Sequence, residues 1–221
     1  MTRWPPVAPA LVVATVLGGC ATTVTGTPTW PGARLERVLL TAEDFPPGVQ
    51  YDRIIDDPDG SGAASSPPPM LSRPEGCSDG LTRVIEASAQ RGPGSAAKYV
   101  AAYDGARSVM TVLTWRLDVD QLAATAERCA EYETFFDPTD VGIPMTTTRI
   151  EGPRRDALVY QQTMTLSGVD NSVYFSFENV GTMAVFGIAF PTPNPGIAAK
   201  GALPQTFLDV ATRQAERIGA G

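Results

Sequence analysis

The sequence predicts an α+β fold, an antiparallel β-sheet with about three helices packed mainly on one face. Strands in the second half of the chain alternate apolar and polar residues, as antiparallel strands with one solvated face do. Strand pairs are followed by helices twice, over 97–134 and 157–218. Hydrophobic residues make up 43% of the 221 residues, so the chain can bury a core.

The chain begins with the pattern of an export signal. Arg3 is the only charge before residue 34, and a mostly apolar run follows over Val7–Leu17. This run is shorter than the roughly 20 residues that cross a bilayer, so it predicts a signal peptide over 1–19. Residues 17–20, Leu-Gly-Gly-Cys, resemble the lipobox of bacterial lipoproteins. The resemblance implies that Cys20 is lipidated and holds the chain on the outer face of the cytoplasmic membrane. The alternative is a plain secretory signal with a chance cysteine.

A tether and one α+β domain are predicted after this signal. Residues 20–34 are rich in threonine, proline and glycine, which predicts a tether, and the domain is predicted over 35–221. Its first segment, 35–41, is apolar and fits a short helix or a strand. Residues 49–55 are predicted as a short strand and 56–76 as a long, polar, proline-rich loop.

A helix and a hairpin are predicted next. Helical periodicity over 77–90 predicts a helix that ends before a Gly-Pro-Gly sequence. Four residues form its shared face: Leu81, Val84, Ile85 and Ser88. Residues 97–103 and 107–117 are predicted as a strand pair, because Asp104-Gly105 between them is a common hairpin turn.

The second helix and the cysteines predict one disulfide. Asp118 or Asp120 can cap a helix over 120–134, and this helix carries Cys129 on its buried face. Cys77 lies near the start of the earlier helix. Because these two form an even pair in an exported chain, we expect a structural disulfide closing a loop of about 52 residues. A redox-active pair would need C-x-x-C spacing or an activated thiolate, and neither is visible.

Strands dominate the remaining chain. Residues 145–151 fit a strand, and 157–166, 172–179 and 183–190 are clearer ones. The last of these is apolar on both faces, so it is either a covered central strand or one whose second face lines an apolar groove or partner surface. A final helix is predicted from Pro204. Its inward face is formed by Phe207, Val210, Ala211 and Ile218.

Composition excludes several functions. The chain has no histidine, which excludes Ser-His-Asp and Cys-His catalysis and histidine-ligated zinc. A formal net charge of −7 argues against nucleic-acid binding. The sequence contains no G-x-S-x-G nucleophile motif, no phosphate-binding P-loop and no G-x-G-x-x-G dinucleotide motif, so no cofactor is predicted.

Three charged clusters are candidate sites. Asp56–Gly60 is similar to part of a calcium loop but lacks its closing glutamate, and a solvated turn explains it as well. Paired carboxylates can hydrolyse glycosides, although at a helix end they are more often solvated. The acidic cluster comprises Glu127, Glu131, Glu133 and Asp137. Three arginines could bind an anion or simply form an exposed turn. They are Arg149, Arg154 and Arg155.

The sequence resembles envelope lipoproteins of mycobacteria and other actinobacteria. The phrase LLTAEDFPPG at 39–48 and the helix-linked Cys77 and Cys129 are similar to the extracellular sensor domains of PknH-type serine/threonine kinases. The similarity covers roughly 35–219. Those kinase domains have two disulfides, whereas this chain can form one. The resemblance implies an α+β, sensor-like domain with a cleft for a ligand that the sequence does not identify.

Three functions follow as hypotheses. The leading one is a non-enzymatic binding or sensor-like module of the envelope, held on the membrane by its lipid and recognising an unknown ligand or envelope protein. The second is a carrier of lipid or glycolipid, which would need a large apolar cavity. The third is a hydrolase without histidine, in which Glu127 or Asp137 would be required.

Overall fold

A computed structural model shows the architecture of most of the predicted domain. It describes residues 31–54, 70–88, 91–92 and 94–220. The predicted signal peptide over 1–19, the predicted lipidation site Cys20 and the aspartate-rich segment Asp56–Gly60 lie outside the described residues.

Nine strands and four α-helices occur in the described residues. The strands are β1 (Gln50–Ile54), β2 (Leu71–Arg73), β3 (Ala96–Tyr103), β4 (Ala106–Leu113), β5 (Glu131–Phe135), β6 (Ile143–Ile150), β7 (Leu158–Leu166), β8 (Val169–Val180) and β9 (Met183–Phe190). The helices are α1 (Pro31–Val38), α2 (Gly80–Ser88), α3 (Val119–Arg128) and α4 (Gln205–Ala220). A short 3₁₀ turn, Ala42–Asp44, precedes β1.

All nine strands belong to one antiparallel sheet in the order β1-β3-β4-β9-β8-β7-β6-β5-β2. The predicted α+β class is therefore confirmed. The predicted hairpin is present as β3 and β4, with its turn at Asp104-Gly105. The predicted cap of the next helix is Asp118, whose side chain accepts a hydrogen bond from the Gln121 backbone N–H.

Helices cover both faces of the sheet rather than mainly one. Residues Met183 and Val185 of β9 lie in the core with α1 and α4, on what we call the α4 face. Their neighbours Ala184 and Phe186 lie in a second core with α2 and α3, on the α3 face. Because alternate residues of a strand point to opposite faces, a strand that is apolar throughout needs a helical layer on each side. β9 is thus the covered central strand.

The helix predicted over 120–134 is shorter than expected. It ends at Arg128, and Cys129 caps it. Residues 131–135 form β5 instead, with Tyr132 and Thr134 buried on the α3 face. Exposed glutamates alternate with buried residues in this segment, which fits the two-residue period of a strand. Pairing with β6 selects this strand over a continuation of the helix with its 3.6-residue period.

Two further boundaries differ from the sequence-based expectation. The described part of the predicted loop 56–76 contains β2, which pairs with β5 at the edge of the sheet. Helix α1 begins at Pro31, inside the range predicted as a tether. It extends to Val38, so the start of the segment 35–41 is a helix and not a strand. Proline suits the first turn of a helix because the backbone N–H that it lacks has no partner there.

Helix α4 holds the segment that connects α1 to β1. The Leu40 backbone N–H donates to Gln214 Oε1 at 3.1 Å, and Gln214 Nε2 donates to the Val38 carbonyl at 2.7 Å. The Gln214 side chain is fully buried. Because buried backbone groups are costly to leave unpaired, this one side chain satisfies the end of α1 inside the core.

Asp44 adds a charged contact to the same connection. Arg217 donates to Asp44 Oδ1, and Arg213 donates to the Asp44 carbonyl at 2.6 Å. Burial alone would raise the pKa of Asp44, but the hydrogen bonds from Thr41 and the Arg217 guanidinium outweigh it, so the pKa is lowered. These contacts hold the segment around Leu40 and Asp44, within residues 39–48, against α4.

The predicted disulfide joins Cys77 to Cys129, with their Cα atoms 5.5 Å apart. Cys77 precedes α2 and Cys129 caps α3, so the bond ties together the two helices of the α3 face. Gly80 allows their close approach, since a Cβ at this position would lie 2.9 Å from Thr125 Cγ2. The bond packs beside Tyr132, in a small buried cluster of its own.

Replacing Gln214 by alanine is expected to lower the free energy of unfolding by about 3 kcal/mol, because two buried backbone groups lose their partners. Urea denaturation followed by circular dichroism measures the change. Gln205→Ala, at an exposed position on the same helix, is the matched control and should shift stability by less than about 0.5 kcal/mol. Equal losses in the two variants would show that the Gln214 bridge is unimportant.

Removing the disulfide with the double substitution Cys77→Ala and Cys129→Ala is expected to destabilise the chain by about 4 kcal/mol, the loop-closure contribution for a separation of 52 residues. Urea denaturation with and without a reductant measures it. The reductant should destabilise the parent chain and leave the double variant unchanged. A response of the same size in both chains would contradict the prediction.

Candidate functional site

The acidic cluster predicted around the second helix is distributed over α3, β5 and the β5–β6 connection. Glu127 lies on α3, whereas Glu131 and Glu133 lie on β5, and all three are exposed. Glu133 lies 3.7 Å from Arg73. Two hydrogen bonds from Thr139 lower the pKa of Asp137, which is the opposite of the raised pKa that a general acid needs.

The structure also separates the three predicted arginines. Arg149 is exposed on β6 and lies on the α3 face, opposite Tyr160 of β7. Arg155 is exposed in the connection between β6 and β7. Arg154, next to it, turns to the α4 face and pairs with Glu178 of β8. The three guanidinium groups therefore do not form one anion site.

Arg154 and Glu178 close a small cleft between the sheet and α4. Arg154 Nε donates to Glu178 Oε1 at 2.7 Å, and Glu178 is 3% exposed. The hydrogen bond to Glu178 raises the pKa of Arg154. The cleft is small, with room for about one water molecule. Ser176 and Thr212 are among the residues that line it.

The exposed large hydrophobic residues of the described chain all lie at one end of the sheet. We call this surface the apolar end. Its members and exposed fractions are Leu71 (43%), Phe136 (68%), Val141 (93%), Leu166 (48%) and Val169 (61%). They lie in or beside β2, the β5–β6 connection and the β7–β8 turn, where five neighbouring strands begin or end. Four strand spacings give this surface a width of about 19 Å.

Strand pairing places part of the apolar end in a continuous row. Leu166 lies opposite Val169 across the β7–β8 turn. Met145 of β6 lies opposite Met164 of β7, so Ile143 and Leu166, two residues further along their strands, continue that row on the same face. Ile143, Met145 and Met164 are half-buried. Leu166 and Val169 thus continue a half-buried row on the α3 face, whereas Leu71, opposite Phe135, lies on the other face of the sheet.

Acidic side chains border the apolar end. Asp137 and Asp140 are exposed in the β5–β6 connection, and Asp170 is exposed directly after Val169. The nearby Arg73 is matched by Glu133. Thr139 donates to Asp137 from its hydroxyl at 2.6 Å and from its backbone N–H at 2.9 Å, which favours the ionised carboxylate. The border therefore carries net negative charge.

The start of α1 lies at the opposite end of the sheet. Arg34 Nη1 donates to the Thr182 hydroxyl at 3.3 Å, in the turn between β8 and β9. Val169, in the apolar end, is the first residue of β8, and the β8–β9 turn follows its last residue. β8 has 12 residues, so its length separates the two places by about 40 Å.

Neither a metal cluster nor a membrane-spanning helix is found in the described chain. Its histidine, cysteine, aspartate and glutamate side chains form no group of three or more that could hold a metal ion. Across 31–54, 70–88, 91–92 and 94–220, no helix is both long and apolar enough to cross a bilayer.

The fold and surface define an α+β domain built on one antiparallel sheet with helices on both faces. The chain is similar to the X-ray structure of an uncharacterised protein from Mycobacterium smegmatis, described as the Rv0999 ortholog. The TM-score is 0.50 at 14% sequence identity, over 86% of this chain and 95% of that one. At this identity the likeness shows a shared fold alone. No protein-family model and no curated protein matches the chain.

The residues of the apolar end were not singled out by the sequence. An exposed leucine or valine at a strand end has the same local pattern as a core residue, because its exposure depends on the neighbouring strands and helices. Two signals were present: Val141 stands in an otherwise polar connection, and Leu166 and Val169 flank a Ser-Gly turn on both sides. Turns with apolar residues on both sides are candidates for contact surfaces.

Arg154→Met is expected to cost about 2–3 kcal/mol of unfolding free energy, because the buried Glu178 carboxylate loses its charged donor. The cost stays below that of a fully buried pair because the Arg154 side chain is 34% exposed. Arg155→Met, at the exposed neighbouring position, is the control and should change little. The double variant Arg154→Met with Glu178→Gln should recover part of the loss. Equal losses for Arg154→Met and Arg155→Met in urea denaturation would refute this account.

Proposed function

We propose that the chain is a lipoprotein of the cell envelope that acts as a non-enzymatic binding module, anchored through Cys20 to the outer face of the cytoplasmic membrane. The observation that carries the binding function is the apolar end, because exposed hydrophobic residues gathered in one place mark interaction surfaces. The sequence of residues 17–20 supports the anchor, and the resemblance over 35–219 supports a sensor-like role.

The site geometry favours binding over catalysis. Glu127 on α3 and Glu131 and Glu133 on β5 are all exposed at the surface, and the cleft at Arg154 and Glu178 has room for about one water. A glycosidase needs two carboxyl groups held about 5–9.5 Å apart around a substrate. These observations favour a surface that recognises a partner.

The packing of the sheet favours binding over lipid carriage. A carrier would need an apolar cavity between the sheet and its cover. In the described chain, side chains of α4 fill the α4 face and side chains of α3 fill the α3 face, against both sides of β9. Hydrophobic residues that remain accessible lie outside these cores, at the apolar end.

Metabolic labelling with an alkyne-bearing palmitate in an actinobacterial host tests the anchor. The parent chain is expected to carry the label, and Cys20→Ala is expected to lose it and to leave the membrane fraction. Thr23→Ala, which keeps residues 17–20 intact, is the matched control and should be labelled like the parent. Equal labelling of the parent and Cys20→Ala would overturn the proposed lipid anchor.

A further inference from the structure

We propose that the apolar end docks a protein surface with an apolar centre and a basic border, and that the lipid-anchored chain presents this end away from the membrane. The inference rests on the proposed function and specifies its partner. It is carried by three observations: the gathering of exposed hydrophobic residues, the charge around them and the place where α1 begins.

The size and composition of the apolar end fit a protein partner. Phe136 and Val141 project from the β5–β6 connection, and Leu166 and Val169 from the β7–β8 turn, across three strand spacings or about 14 Å. An apolar centre surrounded by polar and charged residues is the usual layout of a protein interface. Aromatic residues such as Phe136 are enriched at these centres, which supports docking over chance exposure.

The charge around the apolar end selects the kind of partner. Asp137, Asp140 and Asp170 border it, and the nearby Arg73 is matched by Glu133. Anionic lipid headgroups would meet like charges there, and so would the same surface of a second copy of this chain. A partner with lysine or arginine around an apolar centre meets opposite charges, which steers association and fixes the docked orientation.

The position of α1 determines where this surface points. Arg34, in the first turn of α1, reaches the β8–β9 turn with its side chain, and the apolar end lies about 40 Å away along β8. Residues 20–30, between the proposed lipid and α1, span at most about 36–40 Å when fully extended. For the apolar end to touch the membrane, residues 20–30 would have to be almost fully extended along the whole length of the domain. The anchor therefore places the β8–β9 turn near the membrane and the apolar end outward.

A single fluorophore reports on the surface in the intact lipoprotein. Val141 is 93% exposed, so Val141→Cys can carry an environment-sensitive dye without disturbing the core. Cys77 and Cys129 are bonded to each other, and the proposed lipid occupies Cys20, which leaves the introduced thiol for labelling. Ala220→Cys, exposed at the end of α4, is the matched control at the other end of the sheet. A Cβ at Gly219, next to it, would lie 3.7 Å from Val180 Cγ1 at the end of β8.

Two synthetic peptides test the partner chemistry, one alternating leucine with lysine and one alternating leucine with glutamate. In neutral detergent, the fluorescence emission of the dye at Val141→Cys is expected to shift to the blue when the lysine peptide binds. The chain is expected to bind the glutamate peptide at least about tenfold more weakly. The Ala220 dye should respond to neither. In the Val141→Cys chain, adding Phe136→Ser should weaken lysine-peptide binding about tenfold, since it removes an aromatic group from the centre.

Phosphatidylglycerol vesicles with brominated acyl chains test the orientation. With the lipoprotein inserted, bromine is expected to leave the Val141 dye unquenched. Quenching would make the membrane the occupant and overturn the proposal. Equal binding of both peptides, binding of neither, dimers formed through Val141→Cys, or a dye already blue-shifted in the free chain would overturn it too. Palmitate labelling at Cys20 is read separately, so a failed anchor is distinguishable from a failed docking surface.

Discussion

Strand β9 has buried side chains on both faces of the sheet, so two separate helical layers are needed to exclude water from it. Met183 and Val185 pack under α4, and Phe186 packs in the core that α3 covers. The fit on the α4 face is close, because a Cβ at Gly187 would lie 2.7 Å from the Phe207 ring. The helices therefore pack on both sides of this strand. Gln214 of α4 hydrogen-bonds the chain before β1, which holds that segment against the α4 layer.

Nine strands are wider than the helices that cover them. Eight spacings of about 4.8 Å make the sheet about 38 Å wide, whereas two helices side by side cover about 20 Å. The helices therefore leave parts of strands β5, β6 and β7 exposed to solvent. On the α4 face they do so with polar side chains such as Thr146, Thr148 and Gln161. The apolar end borders this uncovered region and extends to β2 and β8, and its hydrophobic composition contrasts with these polar side chains, which supports its proposed role as an interface.

Much of the fold was predictable from local patterns, and the rest depended on distant residues. Alternation predicted β7 and β8, an apolar run predicted β9, and a turn signal predicted the β3–β4 hairpin. The even pair of Cys77 and Cys129 in a chain with an export signal predicted their bond. Periodicity within a helix does not say which side of a sheet it covers, so the two helical layers were missed. The segment 131–135 was assigned to a helix because only its pairing with β6 reveals a strand. Arg154 was named as a candidate, but its partner Glu178 is 24 residues away, on β8, and local sequence does not reveal the pairing.

The order of strands in the sheet also constrains when the chain can fold. β4 ends at Leu113, yet one of its two neighbours, β9, begins at Met183. Until β9 has been synthesised, β4 is an open edge with unpaired backbone groups, a surface that readily joins other chains. Pairings this distant in sequence slow folding, since a long loop must close before they form. The emerging amino-terminal half therefore depends on the last strand to complete its sheet, which makes the nascent chain a candidate for protection by a chaperone.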